Sequence, residues 1–420
     1  MMARLPVLNL ALRSIANRRA TAILTVLTVA ISVMLFLGVE KVRHGARESF
    51  ENTISGVDLI VGARSSPVNL LLYSVFHIGD ATNNITWESY EAVASAPGVA
   101  WTVPISLGDS HRGHRVIGTT PSIFEHYQYG RGRHLEFASG QSFDSLFEAV
   151  IGAGVARELG YQTGESIIVA HGMGEVGFIE HDNNPFTVVG VLAPTGTPLD
   201  QSVMVTLEAI EAIHMGGATG SGTTLSADEL RAMDLTPDQL TAFFLGLDSP
   251  VAALRLQRAI NTYPEEPLQA VIPGVALSQL WSIVGVAERT LAAVAAFVVL
   301  TGLVSILTAI LTSLNERRRE MAILRALGAR PGHVFVLLVA EAALVALAGA
   351  VLGALATYGA LSVLSPFLEA RFGILLPGLT PGLYDLAIVG AVTGAAATLG
   401  LFPAWRAYRN SLADGMTIKL

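Results

Sequence analysis

The stretch Asn315–Val334, "NERRREMAILRALGARPGHV", decides how the rest of the chain is read. Arg317, Arg318 and Arg319 stand in a row between Glu316 and Glu320, and Arg325 and Arg330 follow. Long apolar runs lie on both sides. A positive block between two bilayer-length segments marks a loop held in the cytoplasm, because lysine and arginine resist translocation. Behind the arginines, Met321, Ile323, Leu324 and Leu327 recur at helical spacing, and Gly328 and Pro331 supply a stop. The segment therefore predicts a short amphipathic helix between two spans. Such a helix either rests on lipid or inserts into the groove of a cytoplasmic partner.

Working outward, four runs are long and apolar enough to cross a bilayer, which takes roughly 20 helical residues. They are 20–39 ("ATAILTVLTVAISVMLFLGV"), 290–314, 334–355 and 383–404. The first is read as an uncleaved signal anchor, being too long for a signal-peptide core. With 51% hydrophobic and only 14% charged residues, the composition is that of a membrane protein. The absence of cysteine excludes a disulfide framework and a thiolate metal site.

Arginine sets the orientation. Residues 1–19 carry Arg4, Arg13, Arg18 and Arg19 with no acid, and 405–420 carry Arg406, Arg409 and Lys419 against Asp414. The short connection 356–382 has only Arg371, beside Glu369. Both ends and the 315–333 segment are thus expected in the cytoplasm, with 40–289 and 356–382 outside. The outer stretch is acidic, with 28 Asp and Glu against 13 Lys and Arg. The predicted architecture is an α+β integral membrane protein with four transmembrane helices and a large extracytoplasmic domain between the first and second.

The Asn315–Val334 stretch resembles the cytoplasmic signature of the FtsX/MacB-type, mechanotransmission family of ABC transporter permeases. "LALRSIANRRATAILTVLTVAISV" is similar to that family's amphipathic N-terminal helix running into its first span, and "PAWRAYRNSLADGM" to its C-terminal end. "FEAVIGAGVARELGYQTGESIIV" and "FTVVGVLAPTGTPLDQSVMVTLEAI" resemble the MacB-like periplasmic core domain. The resemblance implies an inner-membrane permease with a periplasmic domain. It further implies that Glu316–Gly328 is a coupling helix docking on an ATPase, that two permease copies associate, most simply as a homodimer, and that helical stalks transmit motion outward. The extensions "EKVRHGARESFENTI" and "LSQLWSIVGVAERT" read as those stalks.

A Walker A loop needs a lysine behind a glycine-rich turn to reach the β- and γ-phosphates. The only lysines are Lys41 and Lys419, and neither has that setting. ATP and its magnesium are therefore expected on a separate ATPase polypeptide. Glu341, about two turns into the third span, is a costly group there and a candidate functional residue. The simpler expectation is that it reaches back to an arginine of the coupling segment. Gly349 with Gly353, and Gly390 with Gly394, form small faces for close helix packing, expected within the subunit.

The outer domain shows no G-x-S-x-G elbow, no H-E-x-x-H and no dinucleotide fingerprint, so no enzyme activity is expected of this chain. The apolar centre of Leu59–Ile85, Pro67–Ile78, reads as a core element or as a surface for lipid or an apolar substrate. Nine of the ten histidines lie between His44 and His214. His171, Glu175, Glu180, His181 and Asp182 share one glycine-rich stretch, a donor set that suits zinc although it fits no fixed zinc spacing. Three functions stay open on the sequence: zinc-related transport, export or extraction of lipoprotein, lipid or hydrophobic compounds, and non-transporting control of a periplasmic enzyme. The partners expected are the ATPase, a second permease copy, the bilayer and a periplasmic binding or effector protein, and no nucleic acid.

Overall fold

The computed structural model describes residues 4–130, 132–171, 184–218, 229–230, 232–316, 323, 326, 328–372 and 381–409. The chain divides into two compact units. One, the membrane unit, comprises Met1–His44, Val286–Pro366 and Leu376–Leu420. The other, the outer unit, comprises Gly45–Gly285 and Phe367–Leu375.

Among the described residues, four helices are long and apolar enough to cross a membrane. The first is Arg19–Asn52, preceded by the short helix Arg4–Asn17; the second is Pro273–Glu316, the third Pro331–Phe372 and the fourth Leu383–Arg409. The third does not stop where hydropathy placed the end of its span. The stretch 356–372, read above as connection, stays helical, and Pro366 lies inside it.

Side-chain periodicity shows how these helices pack. On the first, Ile23, Leu27, Ile31 and Leu35, four apart, are exposed, while Val29, Val33 and Leu37 are buried. On the third, Val334, Leu338, Ala342, Ala346 and Ala350 form the buried stripe. Apolar side chains on the outside and small ones inside are what lipid as solvent favours. A Cβ at Gly349 would lie 2.7 Å from Val29 Cβ, and one at Gly353 would lie 2.5 Å from the Ala30 carbonyl oxygen. The two helices thus touch backbone to backbone. One turn on, the Thr357 hydroxyl, bonded to the Gly353 carbonyl, also reaches the Met34 carbonyl at 3.3 Å. On the opposite side the Ser32 hydroxyl reaches the Val298 carbonyl of the second helix at 3.0 Å.

The outer unit is built on an 11-stranded mixed sheet. Its main path runs Leu268–Val271, Leu59–Ala63, Ala242–Leu247, Val99–His111, His114–Thr119, Ser202–Thr206, Glu148–Ile151, Phe186–Leu192 and Phe137–Gly140. Ser202–Thr206 runs parallel to His114–Thr119, and Phe186–Leu192 parallel to Glu148–Ile151; the other neighbours are antiparallel. Leu59–Ala63, His114–Thr119 and Ser202–Thr206 are buried at every position, as strands covered on both faces must be. One face packs Ile60, Val103, Ile117, Met204 and Phe244 into a core. The other buries Val116, Ile151 and Val203 in one cluster and Val61, Phe243 and Leu245 in another. The helix Pro67–Val75, capped by the Ser66 side chain accepting from the Asn69 N–H, sinks Leu70, Leu71, Tyr73 and Val75 into the first core. The apolar stretch that admitted a lipid-facing reading is therefore core.

Gly353→Val is expected to lower the thermal midpoint of the detergent-solubilised chain, followed by tryptophan fluorescence, because overpacking costs about 1–3 kcal/mol. Gly359→Ala, where an added Cβ meets nothing within 4 Å, leaves it unchanged or higher.

Candidate functional site

Within the membrane unit, Glu341 is only 8% exposed. It lines a cavity of about 60 Å³ together with Ser14, Arg18, Thr21, Thr25, Ile306, Ile310 and Val345. Thr25 turns its hydroxyl back to the Thr21 carbonyl at 2.8 Å. Arg18 sits at the break between the Arg4–Asn17 helix and the first membrane helix. A guanidinium and a carboxylate in one cavity offset part of the cost of charge at membrane depth. Arg18, which sequence reasoning did not name as a partner of Glu341, lines this cavity, while Arg317, Arg318, Arg319 and Arg325, weighed there for that role, lie outside the described residues. The available signal was the place of Arg18 at the foot of the first span, on the same side of the membrane as the start of the third.

Of the coupling residues, Glu316 ends the second membrane helix, Ile323 is helical and half exposed, and Gly328 takes a left-handed φ of 96°, as a C-cap glycine does. Arg317, Arg318, Arg319, Glu320, Met321, Leu324, Arg325 and Leu327 lie outside the described residues.

In the outer unit His111, His114, His171 and His214 lie at one end of the strand Val99–His111. His111 is buried; its Nδ1–H donates to the Ile168 carbonyl at 2.6 Å, and its Nε2 accepts from the Tyr161 hydroxyl at 3.0 Å. That pairing fixes a neutral tautomer, and burial lowers its pKa, with Arg112 and His114 adding to the effect. His114 places Nδ1 3.3 Å from the Gln201 carbonyl and Nε2 3.8 Å from Glu158. His214, on the helix Leu207–Ala218, lies 3.6 Å from the buried carboxylate of Asp109, which raises the imidazole pKa. The strand Ala170–His171 pairs antiparallel with Val99–His111, in a register that sets His171 opposite Asp109. Glu175, Glu180, His181 and Asp182 lie outside the described residues. Among the described residues, no three His, Asp or Glu come together to hold a metal ion.

The outer unit carries a sheet matched by a known domain. The model of the MacB-like periplasmic core domain matches residues 22–261, more than half of the chain, and that of the FtsX-like permease C-terminal region matches 292–412. The chain belongs to the FtsX/MacB-like family of ABC transporter permeases. It is a multi-pass inner-membrane protein with its large unit in the periplasm. A relative, the macrolide export ATP-binding/permease protein MacB of Azoarcus sp. (strain BH72), is 24% identical over 376 residues. The match takes in 85% of this permease and 52% of that protein, so the chain spans about half the length of the relative. The crystal structure of the periplasmic region of MacB from Actinobacillus actinomycetemcomitans superposes with a TM-score of 0.35 at 9% identity, over 54% of this chain and 94% of that one. The extracellular domain of the noncanonic ABC-type transporter YknZ from Gram-positive bacteria gives 0.27 at 12%, over 51% and 98%. The FtsX-like match takes in the Asn315–Val334 segment together with the third and fourth membrane helices.

The permease's histidines predict opposed pH effects. His111, with its pKa depressed by burial, binds fewer protons folded than unfolded, so its contribution to stability is present above the unfolded value of about 6.5 and is lost as pH falls below it. His214, with its pKa raised by Asp109, contributes stability that is present below about 6.5 and is lost as pH rises through its folded value. Urea unfolding of the full chain between neutral pH and pH 5 should therefore show a shallower acid loss in His111→Gln and a steeper one in His214→Gln.

Proposed function

We propose that this permease converts ATP hydrolysis by a separate cytoplasmic ATPase into movement of its periplasmic unit, with the Glu316–Gly328 segment as the docking point and a second permease copy completing the assembly. The lysine inventory carries the reading. Lys41 and Lys419 are the only lysines, and neither follows a glycine-rich turn, so these residues offer no Walker A loop for the phosphates. The relative whose printed name includes ATP binding is about twice as long as the portion matched here. On this reading the nucleotide-binding part is a separate polypeptide, and the arginine-flanked segment between the second and third membrane helices is the surface that would receive it.

On this reading the helices of the membrane unit are moving parts rather than the walls of a wide passage. Its helices bury small residues against one another, and the one cavity noted above holds about 60 Å³. The first membrane helix continues to Asn52 and the second begins at Pro273, so both run beyond the length a bilayer needs.

For the cargo, a divalent cation is the first ligand to test, because His171, Glu175, Glu180, His181 and Asp182 share one short stretch of sequence. Imidazole and carboxylate are zinc donors. Calorimetry of the full chain with zinc should give a heat that His171→Ala and His181→Ala diminish. No heat at neutral pH rejects the cation and leaves hydrophobic-compound or lipoprotein export as the reading to test.

Docking is tested by co-purification with a candidate ABC ATPase produced together with the permease. Leu324→Pro, which breaks a helix at a cost of about 3 kcal/mol, should abolish co-purification and stimulated ATP hydrolysis while the outer unit keeps its unfolding transition. Unchanged complex formation rejects the docking role.

A further inference from the structure

Three helices of the membrane unit meet at one buried ion pair. Lys41 of the first helix places Nζ 3.0 Å from Asp385 Oδ2 of the fourth. Tyr358 of the third donates its hydroxyl to the same oxygen. The Gly382 N–H adds a bond of 2.7 Å, and the Lys41 ammonium lies 5.6 Å from the centroid of the Tyr358 ring. Three kinds of donor therefore converge on one carboxylate oxygen, while Oδ1 is buried with no hydrogen-bond partner. The side chain of Asp385 is 4% exposed and that of Lys41 25%.

These two charges stand out in the sequence. Lys41 is one of two lysines, and Asp385 is the single acid in the fourth membrane helix. Two residues beyond Lys41, Arg43 pairs with Glu40 at 2.6 Å and with Glu288 of the second helix at 3.6 Å. Those pairs are more open to water and hence weaker, yet they couple the first helix to the second. The outer ends of the helices are thus joined in two ways: first to second through Arg43, and first to third and fourth through Lys41.

The energetics of the Lys41 contact are asymmetric. A buried pair that loses one partner leaves an uncompensated charge, whereas losing both costs little. Lys41 can swing its long side chain to water at the interface; Asp385 on its short stem cannot.

We propose that Lys41, Asp385 and Tyr358 form a releasable latch that pins the outer end of the first membrane helix to the third and fourth in one of two arrangements. Opening it frees the first helix, with the second tied to it through Arg43. The proposal rests on the reading of these helices as moving parts, and it is tested without ATPase or nucleotide so that the two stand or fall separately.

The chain has no cysteine, so a pair of spin labels can be placed cleanly. Leu35→Cys and Leu386→Cys sit at exposed positions on the first and fourth helices. In lipid nanodiscs, dipolar distance measurement on this full-length parent should give one dominant distance. Lys41→Met should raise a second distance by about tenfold in population, the change produced by about 1.4 kcal/mol. Asp385→Asn should raise it less, because Lys41 then reaches water. The double variant Lys41→Met/Asp385→Asn should recover the parent's melting temperature and still show the second distance. A single parental distance in Asp385→Asn and in the double variant overturns the latch, even if Lys41→Met fails to fold. Recovery of both melting temperature and single distance in the double variant also overturns it, since the pair would then be structural alone. A second distance in a chain that binds no ATPase keeps the latch and rejects the docking reading; a single distance in all variants of a chain that does bind one has the opposite meaning.

Discussion

The membrane unit depends on how closely the first and third helices approach. Lipid offers no hydrophobic drive for helix association, so contact must come from packing and from polar bonds between helices. Gly349 and Gly353 remove the side chains that would hold the backbones apart, and Thr357 continues the same stripe with a hydroxyl that reaches the other helix. Because the first helix is fixed along this seam, groups above and below it can be brought together from distant parts of the sequence.

Both ends of the seam carry charge. On the cytoplasmic side Arg18 and Glu341 share a small cavity, and on the periplasmic side Lys41 meets Asp385. Charge at these depths is expensive and survives only where partners and hydrogen bonds compensate it. The seam between them is apolar and close-packed.

The periplasmic unit puts its histidines to a different use than their number suggested. His111 works as a neutral core group bridging Ile168 and Tyr161, and His114 is nearly buried beside Gln201. Among the described residues His214 pairs with the buried Asp109 carboxylate, and no three His, Asp or Glu come together to hold a metal ion. Histidine abundance in a sequence counts donors, but it does not say which imidazoles are occupied by the protein's own carbonyls and hydroxyls.

Hydropathy and arginine placement determined the number of spans, their orientation and the cytoplasmic segment, because bilayer thickness and translocation act on local runs of sequence. Local pattern also marked the glycine pairs, of which Gly349 and Gly353 face the first helix while Gly390 and Gly394 have nothing within 4 Å. The continuation of the third helix through Phe372 was not legible, since hydropathy falls before the helix ends. Tertiary structure alone decided that Arg18 stands in the cavity of Glu341 and that Lys41 meets Asp385, 344 residues along the chain. Arg18, Lys41 and Asp385 read locally as ordinary interfacial residues, and Glu341 stood out only by its depth in the third span. Their pairing follows from which faces of the first, third and fourth helices are small enough to touch, and that is a property of packing between helices that no single run of residues contains.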